Sequence, residues 1–187
     1  MTIPSPLQNT LEEYQVEYTP QHDGEHREGA STGSFQTQLL SEFIPWGEDG
    51  CSVLATTGIV ELEYAAIQKS AAIFDASNRS TIKITGSERL DCVSRLTTQQ
   101  LLDMKNGESK LAFVTSRKGA VLADVVIHVL DEFILLDLDC TVANQLVEHI
   151  KAYIVMEDVH VEDVTDQTHW FWMLGPSSTE YTPREAP

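Results

Sequence analysis

The chain has 187 residues and a formal net charge of -17, and its length allows a sizeable core without metal or disulfide staples. That charge excludes generic duplex nucleic-acid binding, which draws its affinity from neutralising phosphates. No stretch approaches the roughly 20 apolar residues of a membrane-spanning helix. Three widely spaced cysteines, Cys51, Cys92 and Cys140, argue against a disulfide framework or a cysteine-based zinc site. With no basic-then-apolar segment after Met1, the expectation is a reduced, cytoplasmic protein.

Residues 1–40 are polar and acidic and carry a Gly29-Ala30-Ser31-Thr32-Gly33-Ser34 run, so they read as a disordered tail. His22 and His26 in it are too few to make a metal tract. The domain expected over residues 41–176 begins near Phe43-Ile44-Pro45-Trp46-Gly47, followed by a strand over Ser52–Thr56. Glu61–Ala72 reads as a helix, with Leu62, Ala65 and Ala66 at helical spacing. Thr81–Thr85 alternates as a strand and stops at Gly86. Ser87 is predicted to cap a helix bearing Leu90, Val93 and Leu96 on one face. Leu111–Thr115, Ala120–Leu130 and Phe133–Leu138 read as a three-strand meander, its first turn at Ser116-Arg117-Lys118-Gly119. Thr141 is predicted to cap a helix reaching Ile154, with Val142, Leu146 and Tyr153 inward. Val159–Val164 and Trp170–Leu174 are the last strands, and residues 177–187 form a polar tail. Helices interleaved with hairpin-joined strands predict an α+β fold: a mainly antiparallel sheet with packed helices, built from ferredoxin-like units.

Charge is unevenly spread. Residues 79–118 hold 8 basic and 4 acidic residues, a net of +4, whereas both flanks are acidic. A local positive region suits a small anionic ligand or an acidic partner surface, or simply balances nearby acids.

Asp124 stands out because it interrupts an apolar, β-branched strand. It shares a face with Leu122 and Val126, while Val121, Ala123, Val125, Ile127 and Val129 fill the other. A strand apolar on both faces is usually buried, so the carboxylate is expected to point into a core or a pocket. A buried Asp satisfied by backbone N–H groups, or an edge strand with Asp facing water, are the structural alternatives. His128 shares that face, but about 13 Å of strand separates it from Asp124, too far for a hydrogen-bonded dyad. No dinucleotide fingerprint, phosphate loop, zinc-protease helix or nucleophile elbow occurs.

Four segments, in order, carry a resemblance: Phe74-Asp75-Ala76-Ser77-Asn78-Arg79, Ile82-Lys83-Ile84-Thr85-Gly86, Gly119-Ala120-Val121-Leu122-Ala123-Asp124-Val125 and Leu174-Gly175-Pro176. Over roughly residues 61–176 the chain resembles the folate-binding N-terminal region of the aminomethyltransferase superfamily. That superfamily includes the glycine cleavage T-protein, sarcosine and dimethylglycine dehydrogenases, and the YgfZ-type proteins of iron–sulfur maturation. The resemblance implies a truncated folate-binding domain with tetrahydrofolate as its small-molecule ligand. It makes Asp124 the ligand-facing and catalytic carboxylate, with Val126 and Arg79 beside the folate. Where T-proteins have Asp-Asp, Gly-Gly, Asp-x-Ser-His and an aromatic residue, this chain has Ala123-Asp124, Gly119-Ala120, Asp75-Ala76-Ser77-Asn78 and Leu111. These differences, with Arg117-Lys118-Gly119 and the Tyr153-Ile154 helix end, make it more similar to the YgfZ-type branch than to the T-proteins. The resembled proteins continue past the segment matching Leu174-Gly175-Pro176, which implies a domain completed by a further half or a protein partner. Three functions follow as expectations: folate binding of the YgfZ type, aminomethyl transfer as in the T-protein, or a non-catalytic interaction domain.

Overall fold

The computed structural model describes residues 42–47 and 51–181. The acidic stretch expected over residues 1–40 lies outside them, as do residues 182–187 of the expected polar tail. Nine strands are described: β1 (Glu42–Trp46), β2 (Cys51–Thr56), β3 (Ala72–Asp75), β4 (Arg79–Thr85), β5 (Ser109–Thr115), β6 (Val121–Val129), β7 (Phe133–Asp139), β8 (His160–Asp163) and β9 (Phe171–Leu174). The helices are α1 (Val60–Lys69), α2 (Arg89–Leu96), α3 (Ala143–Lys151) and the single turn α4 (Ser178–Tyr181).

The main sheet has the order β5-β6-β7-β4-β8 and all its pairings are antiparallel. The order β6-β7-β4-β8, with α2 and α3 as connections, is the split βαβ arrangement of a ferredoxin-like unit, to which β5 adds an edge. The fold is therefore the α+β, mainly antiparallel one that the sequence predicts. Both helices cover the same sheet face. Cys92, Val93 and Leu96 of α2, and Leu146, Val147 and Ile150 of α3, are buried with Ile82, Ile84, Val125, Ile127, Leu136 and Leu138 of the strands in one cluster.

Two small ribbons complete the structure, β1-β2 and β3-β9. Strand β3 was not anticipated; the helix expected to reach Ala72 ends at Lys69, where the chain turns into the β-branched and aromatic Ile73-Phe74. Gly175, after β9, explains one of the recurring glycines. It has φ +117, and a Cβ there would overlap the carbonyl oxygen of Ser70, whose carbonyl also receives the Ser177 N–H at 2.9 Å.

Two predicted caps are corrected. Ser87 does not cap α2; its hydroxyl and N–H both donate to the Asp158 carboxylate, at 2.8 and 2.9 Å, tying the helix entrance to the loop before β8. Thr141 does not open a long helix either. Asp139 is the cap, accepting from the Thr141 N–H and hydroxyl around a 3-10 turn (Cys140–Val142), and α3 stops at Lys151. No described helix is long and apolar enough to cross a membrane.

Candidate functional site

Among the described residues no helix lies over the second face of the sheet. Register fixes which side chains meet there: Leu111 lies opposite Val126, Val126 opposite Asp137, and Asp137 opposite Thr81. Phe113 pairs with Asp124 in the neighbouring row, and Arg79 with Asp139.

Asp124 is exposed on this face, which corrects the expectation of a core or pocket position. Ala123, Val125, Ile127 and Val129 are buried under the helices, whereas Leu122 and Val126 are only half-buried and Val121 is exposed. Strand β6 is not an edge strand, so its pleat presents Asp124 on an open surface rather than at an open border. Exposed Leu111 and Phe113 flank it across the ladder, at 60% and 44% relative exposure.

The buried carboxylate on this face is Asp137. Its Oδ1 accepts from the Arg79 Nε at 2.6 Å, and both side chains are nearly inaccessible, 4% and 9% exposed. Burial pushes the Asp137 carboxyl above its usual range, while the Arg79 guanidinium opposes that rise. Asp124 contributes a smaller upward push. Arg79 lies under the Trp172 ring, 5.9 Å from its centroid. Of the predicted site residues, Asp124 and Val126 thus face open surface, and Arg79 is covered and bound to a carboxylate.

Sequence reasoning missed the rest of this cluster. Thr81 is fully buried, and its hydroxyl is met at 2.8 Å by both the Trp170 indole N–H and the Thr168 hydroxyl. Trp170 stacks on His128, centroids 5.0 Å apart and planes inclined 21°. His128 Nδ1 lies 2.8 Å from the Ser109 hydroxyl, and its Nε2 is buried with no hydrogen-bond partner among the described residues. Asp137 carried the same signal as Asp124, a carboxylate inside the apolar run Phe133-Ile134-Leu135-Leu136-Asp137-Leu138.

Burial lowers the His128 pKa below 6.5, with the Asp137 charge opposing. The native state therefore prefers neutral imidazole. Its contribution to stability is present above 6.5 and is lost as pH falls through the lowered value. Thermal denaturation of the wild type and His128→Gln across this range is expected to show the wild-type advantage shrinking with acidification. An advantage independent of pH would count against the assignment.

A separate concave region of about 490 Å³ lies on the β3-β9 ribbon, lined by Leu54, Thr57, Ile73, Asp75, Phe171, Trp172 and Met173. Neither Asp124 nor Val126 reaches it; Trp172, which also overlies Arg79, stands between the two regions. At the groove, Asp75 is buried and meets His169 Nε2 at 2.5 Å.

Residues 23–183 match the family model described as the GCVT N-terminal domain. The aminomethyltransferase of Thermotoga neapolitana is 26% identical over 119 residues, covering 63% of this chain and 33% of the relative. That of Thermus thermophilus is 24% identical over 162 residues, covering 86% and 42%. The chain thus spans between a third and a little over two fifths of the length of these curated relatives. The crystal structure of glycine cleavage system aminomethyltransferase T from Bartonella henselae superposes with a TM-score of 0.66 at 16% identity, over 75% of this chain and 38% of that one. This last likeness is one of fold. The match over residues 23–183 shows that the chain belongs to the GCVT N-terminal domain family.

Proposed function

We propose that the second sheet face is one wall of a tetrahydrofolate site, with Asp124 its ligand-facing carboxylate. One observation carries the reading: an exposed carboxylate flanked by exposed Leu111 and Phe113 and half-buried Val126. Such a surface fits a flat heterocycle bearing N–H donors, because the apolar flanks cover ring faces while the carboxylate accepts hydrogen bonds. Tetrahydrofolate would supply the acceptor for a one-carbon unit. In this reading Asp124 orients the ligand and holds negative charge beside it, and Val126 and Leu111 exclude water from the ring. Arg79 acts through its partner: it fixes Asp137 beside Val126 and keeps that row of the wall rigid.

The finer assignment, to the YgfZ-type branch linked to iron–sulfur maturation, rests on Asn78, Leu111, the Arg117-Lys118-Gly119-Ala120 turn and the Tyr153-Ile154 helix end. The Ala123 difference does not bear on the ligand, since Ala123 is 6% exposed and faces the helices. Names of the relatives favour a second reading, aminomethyl transfer with ammonia release. Ammonia production from aminomethyl-lipoyl carrier protein separates the two, since a YgfZ-type binder releases none. The interaction-domain reading draws on the exposed apolar ribbon, with Ile73 at 67% and Phe171 at 49%.

Calorimetric titration with tetrahydrofolate is expected to give saturable binding to the native chain. Asp124→Asn should weaken it by about ten- to a hundredfold, the loss of one charge-assisted hydrogen bond. Absence of saturable binding by the native chain would sink the ligand reading, and equal affinities would remove Asp124 from it.

A further inference from the structure

Cys51 and Cys140 stand far apart in sequence, yet the fold brings them together at one joint. Cys51 opens β2 opposite Trp46, and its thiol donates to the Ser77 carbonyl at 3.3 Å. Cys140 follows β7, and its backbone N–H donates to the carbonyl of the next residue, Asn78, at 2.9 Å. The Trp46 indole donates to Asp139 at 2.9 Å, which pins the β1-β2 hairpin to the residue just before Cys140. The two thiols are free and partly exposed, and these bonds hold both at the consecutive residues Ser77 and Asn78, whereas Cys92 is buried under α2.

From this juxtaposition we infer that Cys51 and Cys140 form an oxidant-reactive thiol pair that closes to a disulfide when it meets a peroxide. Cys51 sulfur attacks one peroxide oxygen; the O–O bond breaks, giving a sulfenic acid on Cys51 and, with the thiol proton, water. Cys140 sulfur then displaces the hydroxyl from Cys51, forming the S–S bond, and its proton leaves with that hydroxyl as a second water. Two thiols are oxidised by two electrons and one peroxide is reduced. Burial, with Cys51 alongside, pushes the Cys140 thiol up to about 12. Cys140 therefore holds its proton until it attacks the sulfenic sulfur, which leaves Cys51 to meet the oxidant first. The bond would lock the hairpin, and with it Leu54 on the wall of the apolar groove, to the end of β7.

The full chain, fully reduced, is treated with hydrogen peroxide, digested with trypsin and weighed by mass spectrometry. Expected is a peptide pair joining residues 28–69 to residues 119–151, lighter by two hydrogens and separable by a dithiol. The melting temperature should rise on oxidation and return on reduction, because a cross-link constrains the unfolded chain. Cys92→Ala should keep both signals. Cys140→Ala should lose both and leave Cys51 as its sulfenic or sulfinic acid; Cys51→Ser is the second variant if that one fails to fold. Over-oxidised Cys51 without a cross-link in the native chain, links involving Cys92, or thiols left unreacted would each overturn the pairing.

Discussion

Replacing Arg79 with methionine is expected to cost about 3–5 kcal/mol of stability, the usual loss when one member of a buried ion pair is removed. The pair is nearly inaccessible, so solvent cannot take over the role of the guanidinium. Asp137 would be left without its partner beside Val126 and Thr81, with its carboxyl driven further upward once the guanidinium no longer opposes burial. The sign of the pH effect follows. A carboxyl raised in the native state favours folding below its ordinary value of 3.8, and that favour is lost as pH rises through the raised value. The deficit of Arg79→Met should therefore be largest at neutral pH and shrink on acidification. Urea unfolding of both proteins at several pH values tests this, and a deficit unchanged by pH would refute the assignment. The double variant Arg79→Met/Asp137→Leu should recover much of the loss, since apolar replacement of a whole buried pair is often neutral or better.

Gly86→Ala is expected to destabilise by about 2–6 kcal/mol, combining about 1–3 for an unfavourable positive φ with about 1–3 for overpacking. Gly86 has φ +107, and a Cβ there would overlap the Asp158 carbonyl oxygen and come within 2.9 Å of the Val159 Cα. These are backbone atoms, which cannot swing aside as a side-chain tip can. The clasp at stake includes the Ser87 bonds to Asp158 and the Asp158 N–H donated to Glu88 at 2.8 Å. Chemical denaturation measures the loss. Amide exchange should locate it first in the loop before β8 and the start of α2; a loss under 1 kcal/mol would show the close approach to be slack.

The chain's local patterns were informative about which residues share a face. Alternation in Thr81–Thr85 and Val121–Val129, and the spacing of Val93 and Leu96, lead directly to the ferredoxin-like sheet with helices on one side. They could not say which face the helices take. An apolar second face looks buried in sequence, so the pattern around Asp124 predicts a buried carboxylate, whereas the equivalent pattern around Asp137 is the one that folds inside. What covers Asp137 and Thr81 comes from far along the chain: Arg79 binds Asp137, and Trp170 binds Thr81. The same holds for His169 on Asp75 and for Cys51 and Cys140, brought to Ser77 and Asn78 although their spacing argues against a disulfide framework. Contacts of this kind depend on how the β3-β9 ribbon and the β1-β2 hairpin fold back, and no short-range period records that.

Trp170 has one further consequence. Its indole is stacked on His128 and hydrogen-bonded to Thr81, so its emission is sensitive to both. An imidazolium quenches indole fluorescence more strongly than a neutral imidazole does. The molecule therefore carries its own optical gauge of proton occupancy on the sheet face, readable without a label.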